Sequence, residues 1–146
     1  MNFFRSILIF TLVLTLLSAC APKATSTPAF QAHNPYAPQP GDSILMANGI
    51  KIDSASVVVL ESQPPQLVVR IAYVLPTRCH QLRVEVSGPD DQNRIELKAY
   101  AVAEKDQACD LMTTGTPLHA SLNLGSFPKG HYTVFLNDQQ IGEFDS

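Results

Sequence analysis

From Ile44 onward apolar side chains recur at every second position, and that period governs what this chain can fold into. In residues 66–75, Leu67, Val69, Ile71, Tyr73 and Leu75 share one side. In 80–86, Leu82, Val84 and Val86 alternate with Gln81, Arg83 and Glu85. In 94–103, Ile95, Leu97, Ala99 and Ala101 alternate with Arg94, Glu96, Lys98 and Tyr100. Leu118, Ala120, Leu122 and Leu124, and later Tyr132, Val134 and Leu136, repeat the pattern. Only an extended strand turns such a sequence into one greasy and one wet face; on a helix the same residues would scatter around the axis. Segments 57–61 and 140–144 read as further strands, and no stretch of about 12 residues keeps a helical period.

Turn chemistry separates the runs. Asn48-Gly49 and Asn137-Asp138 favour tight turns. Pro64-Pro65, Gly88-Pro89-Asp90-Asp91 and Pro128-Lys129-Gly130 mark loops. The sequence therefore predicts an all-β domain over 44–146, an antiparallel two-sheet sandwich of seven or eight short strands.

A different pattern occupies the first residues. MNFFRSILIFTLVLTLLSAC carries one basic side chain, Arg5, then an apolar run from Ile7 to Leu17. That run is about half the ~20 residues a membrane-crossing helix needs, and it ends in small residues as a secretory signal does. Leu17-Ser18-Ala19-Cys20 resembles the lipobox of bacterial lipoproteins. The resemblance implies a signal peptide over 1–19, cleavage before Cys20, and a diacylglyceryl group on the Cys20 thiol with acylation (palmitate) of its amine. Two or three acyl chains hold a protein stably to a membrane, whereas one holds it marginally. Ala21 in place of Asp resembles lipoproteins sorted to the outer membrane; with a single membrane the site is its outer face. The alternative is an ordinary secretory signal cut before Ala21 or later.

Three cysteines are an odd number for an exported chain. Setting Cys20 aside leaves Cys79 and Cys109, whose simplest state outside the cytoplasm is a disulfide. Two free thiols, or a metal pair joined by His80, are the alternatives; tight Cys-x-x-Cys ligand pairs are absent. Between Cys20 and the first strand, residues 20–43 hold five of the 11 prolines and no apolar period, and read as a disordered or polyproline-like linker. At its end Gly41-Asp42-Ser43-Ile44 resembles the start of the GDSL hydrolase motif. No strand precedes it, and no histidine follows an aspartate by three positions, so Ser43 lacks a base.

The late segment Leu124-Gly125-x₄-Gly130-x-Tyr132-x-Val134-x-Leu136-Asn137 resembles immunoglobulin-like and fibronectin III-like sandwiches. That resemblance implies a tyrosine corner at Tyr132, a hydroxyl tie that specifies the fold. Leu75-Pro76-Thr77-Arg78-Cys79-His80 with Cys109 resembles small bacterial envelope domains of the same type. The chain departs from antibody domains in having no tryptophan and in placing its cysteines beside loops.

The formal charge of −3, from 10 basic and 13 acidic residues, argues against a nucleic-acid partner. Phosphate loops, His-Glu-x-x-His and Gly-x-Ser-x-Gly are absent. His119 and His131 would bind a metal only if neighbouring strands brought them together. Asp90-Asp91 reads as a solvated turn without the alternating oxygens of a calcium loop, and Arg70 and Arg78 mark a polar patch at most. The expectation is a lipid-anchored, non-catalytic binding or structural module outside the cytoplasm, without cofactor or metal, with the membrane and an envelope or extracellular protein as partners. The alternatives are an immunoglobulin-like protease inhibitor using loops 63–66 and 105–116, or a metal-binding or enzymatic envelope protein using His80, His119 or His131.

Overall fold

The computed structural model describes residues 34–105, 108–109 and 116–146. The leader, Cys20, His33 and the first part of the expected linker lie outside them. Eight strands follow one another: β1 (Met46–Asn48), β2 (Lys51–Leu60), β3 (Gln66–Val74), β4 (Gln81–Ser87), β5 (Arg94–Ala103), β6 (Leu118–Gly125), β7 (His131–Leu136) and β8 (Gln139–Asp145). They form two sheets. One is β2-β3-β6, antiparallel throughout. The other centres on β5, with β4 along one edge. The opposite edge of β5 is shared: β7 pairs with Arg94–Leu97, β1 pairs with Ala101–Ala103, and β8 lies beyond β7.

The sheets pack face to face, as the period-two pattern predicts. Leu67, Val69, Ile71, Leu82, Val84, Ile95, Leu97, Leu122, Leu124 and Val134 point inward and are almost fully buried. Gly142 in β8 faces Val57 in β2, and a Cβ there would stand 2.9 Å from Val57 Cγ2. Glycine is what lets the two sheets close along that side.

The expectation of purely antiparallel pairing needs one correction, since β5 and β7 run parallel. The chain leaves β5, crosses to β6 in the other sheet, and returns as β7. An antiparallel excursion through the opposite layer brings it back in its original direction. At that return, the Tyr132 hydroxyl donates to the Pro128 carbonyl at 3.0 Å. This is the tyrosine corner, and the Tyr132 ring packs between Phe144 at 5.1 Å and Phe127 at 5.3 Å.

Cys79 and Cys109 are joined in a disulfide. It links the two crossings between sheets, β3 to β4 and β5 to β6, at one end of the sandwich. Neighbouring His80 is a local tie. Its Nε2 lies 3.2 Å from the Asn48 amide nitrogen, which can only donate, so Nε2 accepts and Nδ1–H donates to Thr77 Oγ1 at 2.7 Å.

The domain begins earlier than residue 44. Residues 34–43 dock on the outer edge of β4: Asn34 Nδ2 donates to the Val84 carbonyl at 2.8 Å, and Val84 N donates to the Tyr36 carbonyl at 2.7 Å. A 3₁₀ helix, Pro40–Ile44, follows. The Asp42 carboxylate accepts the Gln39 N–H at 2.7 Å and receives Arg83 in a fork, Nε at 2.7 Å and Nη2 at 3.0 Å. The expectation of a free linker fails here because proline-rich composition measures only what a segment buries by itself. This one is held by β4, whose exposed edge it covers. Ser43 Oγ donates to the Pro40 carbonyl at 3.4 Å, so the GDSL-like tetrapeptide is part of a structural clip.

Candidate binding face

A surface depression of about 530 Å³ opens on the outside of the five-stranded sheet. Alternation places its side chains: the positions of β5 that do not enter the core are Arg94, Glu96, Lys98 and Tyr100, all on one face. Glu85 of β4 stands opposite Lys98 in register, and Phe135 of β7 opposite Glu96. The Tyr100 hydroxyl donates to Glu85 Oε1 at 3.0 Å. Partial burial, then the Glu85 carboxylate, raise the Tyr100 pKa, so the phenol stays protonated. The Arg94 guanidinium lies 4.8 Å from the Phe135 ring centre and donates from Nη2 to Glu96 Oε1 at 2.7 Å. Its Nε is buried without a hydrogen-bond partner among the described residues, and Asp90 approaches it only to 3.9 Å.

The floor of the depression depends on Asn137. β7 leaves β5 after Leu97, and β1 joins it only at Ala101. Asn137 fills the gap as a strand would: its Oδ1 accepts the Ala99 N–H at 2.8 Å, its Nδ2 donates to the Ala99 carbonyl at 3.0 Å, and its own N–H reaches the Leu97 carbonyl at 2.9 Å. Its φ of 47° and the 66° of Asp138 place both residues in the left-handed region, the geometry of a tight hairpin turn. Gly49 and Asp138 line the depression beside it.

The face is aromatic and mixed in charge. Among the described residues no cluster of three or more His, Cys, Asp or Glu side chains suits a metal. His119 and His131 do not meet, because β6 and β7 belong to different sheets. His131 bonds Asp145 at 2.8 Å and has Glu143 at 3.6 Å; these carboxylates, Asp145 first, raise its pKa. Asp90 shapes a loop: its Oδ1 accepts the N–H groups of Gln92 and Arg94 at 2.9 and 2.8 Å, and those bonds, that to Arg94 foremost, lower its pKa. Gly88, at φ 108°, begins that loop, and a Cβ there would overlap the Arg94 carbonyl oxygen. Arg78 is exposed in the β3–β4 turn. The loop 63–66 leads into β3 at Gln66, while most of 105–116, residues 106–107 and 110–115, lies outside the described residues.

The tyrosine corner and the crossings from β3 through to β7 fall within one family match. The ORF11 beta-sandwich domain matches residues 69–146. The chain belongs to that family. The ORF11 beta-sandwich region takes in most of β3, all of β4 through β8, the disulfide, the tyrosine corner and every named residue of the face except Gly49. An uncharacterized 10.2 kDa protein in the HgiCIIM 5′ region of Herpetosiphon aurantiacus is 29% identical over 91 residues, covering 60% of this chain and 90% of that protein. No solved structure matches. The match leaves out the docked segment, β1 and β2, which are built onto the shared region.

Proposed function

We propose that this chain is a bacterial lipoprotein, held outside the cytoplasm by a lipidated Cys20, whose sandwich is a non-catalytic binding module for an envelope component. The Cys79–Cys109 disulfide carries the reading. Disulfides persist in oxidising compartments, and with these two paired, Cys20 is the one cysteine left over, at the end of a lipobox-like leader. The docked segment shortens the leash. From Cys20 to Asn34 the chain extends at most about 50 Å, so the module works close to its membrane. The groove over Glu85, Lys98 and Tyr100 is the surface offered to the partner.

A Cys20→Ser variant tests the anchor. The reading predicts transfer from the membrane to the soluble fraction, and retention in the membrane contradicts it. A photo-crosslinking side chain at Lys98 tests the face: it should trap an envelope partner that the same group at Arg78 does not. Identical products from both positions contradict the choice of surface.

A further inference from the structure

The opposite sheet carries a second polar feature that the proposed function does not use. We propose that the outer face of β2-β3-β6 holds a site for a small oxyanion group, a carboxylate, phosphate or sulfate, centred on Arg70. Register brings the site together. Ser56, Arg70 and Ser121 stand side by side across the three strands, and Ser54, Ala72 and His119 form the next row. Directly opposed residues have Cβ atoms about 5 Å apart, so the six cover a patch the size of a small molecule. Ala72 is buried while Ser54, Ser56, Arg70, His119 and Ser121 are exposed, so the short alanine is the floor and the longer side chains are the rim. The result is a depression of about 210 Å³.

Charge gives the site its preference. Arg70 makes no ion pair or hydrogen bond among the described residues, in contrast to Arg83 and Arg94, which are engaged by carboxylates. No Asp or Glu occurs in 54–58, 68–72 or 119–123, the strand segments that surround it. Its planar guanidinium matches two oxygens of a carboxylate, phosphate or sulfate at once. The Ser56 and Ser121 hydroxyls on either side, with Ser54 and His119 in the next row, supply further hydrogen bonds to the same anion. A histidine, three hydroxyls and an unengaged arginine around an alanine floor form a cradle for one anionic group. The groove on the other sheet differs in kind, since its arginine is occupied by Glu96 and a phenylalanine ring.

The test is a titration of the ¹⁵N-labelled full-length chain in detergent with sodium phosphate, sodium sulfate and sodium acetate in turn, and with sodium chloride at matched ionic strength. The proposal expects saturable shifts confined to the amides around Ser56, Arg70, Ala72 and Ser121, with a dissociation constant in the millimolar range or tighter for at least one oxyanion. The ranking of the three salts identifies the oxyanion. Arg70→Gln should weaken binding by about tenfold or more, and Arg70→Lys, which keeps the charge but loses the fork, by less. Unchanged resonances elsewhere show that these surface variants remain folded. Shifts that chloride reproduces, shifts that survive in Arg70→Gln, or no saturable shift with any of the three oxyanions would overturn the proposal.

Discussion

Replacing Asn137 separates two physical roles that this side chain combines. Its amide makes both hydrogen bonds to Ala99, at 2.8 and 3.0 Å, and its backbone sits at φ 47°. Asn137→Gly keeps the left-handed backbone without strain but removes both bonds. At 0.5–1.5 kcal/mol for a typical hydrogen bond, the loss is about 1–3 kcal/mol. Asn137→Ala removes the same bonds and adds the cost of a Cβ in the left-handed region, about 1–2 kcal/mol more. The alanine variant should therefore be the less stable of the pair, although alanine is the better residue in most contexts. Urea unfolding, with the midpoint read at constant slope, measures the differences. Amide exchange at Ala99 gives a local reading, and its protection should fall in both variants. If Asn137→Gly unfolds at the wild-type midpoint, the edge-capping role is wrong. If alanine and glycine are equal, the strain argument is wrong.

The Arg83 guanidinium and the Gln39 N–H hold the Asp42 carboxyl below its ordinary pKa. Its contribution to stability is full above the unfolded value of about 3.9 and is lost as pH falls through the lower folded value; Asp42→Asn should flatten the acid limb of a urea-midpoint profile. His131 titrates with the opposite sign: its raised pKa means a contribution present below about pH 6.5 and lost as pH rises through the folded value. A proton-NMR titration of the His131 ring should show the raised pKa, and Asp145→Asn should lower it. Tyr132→Phe keeps the ring contacts but drops the bond to Pro128, and should cost about 1 kcal/mol in urea unfolding. Cys79→Ser with Cys109→Ser opens a 30-residue separation, for which the chain-entropy model gives about 3–4 kcal/mol; a smaller loss would place more of that crossing's order in its other contacts.

Period-two alternation makes the core legible in the amino-acid sequence, because in a sandwich burial follows side-chain parity. Leu67, Val69, Ile71, Tyr73 and Leu75 are buried as their spacing predicts. Tyr132 is legible for a related reason, since a tyrosine two positions past the glycine that ends a loop carries a local chemical signature. The docked segment at 34–43 is not legible. Asp42 and Arg83 are 41 positions apart, and nothing in a proline-rich stretch announces a partner so distant. Asn137 is readable as a turn residue, whereas its second role depends on β1 and β7 leaving a gap along β5. The parallel pairing of β5 with β7 is equally hidden, because alternation fixes which way a side chain points and says nothing of strand order. Arg70 stands out in the sequence only as a solitary charge; its hydroxyl neighbours are set by register with β2 and β6.

The lipid anchor can be weighed by intact-mass analysis of the mature protein taken from bacterial membranes. The expected mass is that of a chain beginning at Cys20, heavier than its sequence by a diacylglyceryl group and an acyl chain, with no thiol open to alkylation until the Cys79–Cys109 bond is reduced. A mature chain beginning elsewhere, or a Cys20 that reacts as an unmodified thiol, would contradict it.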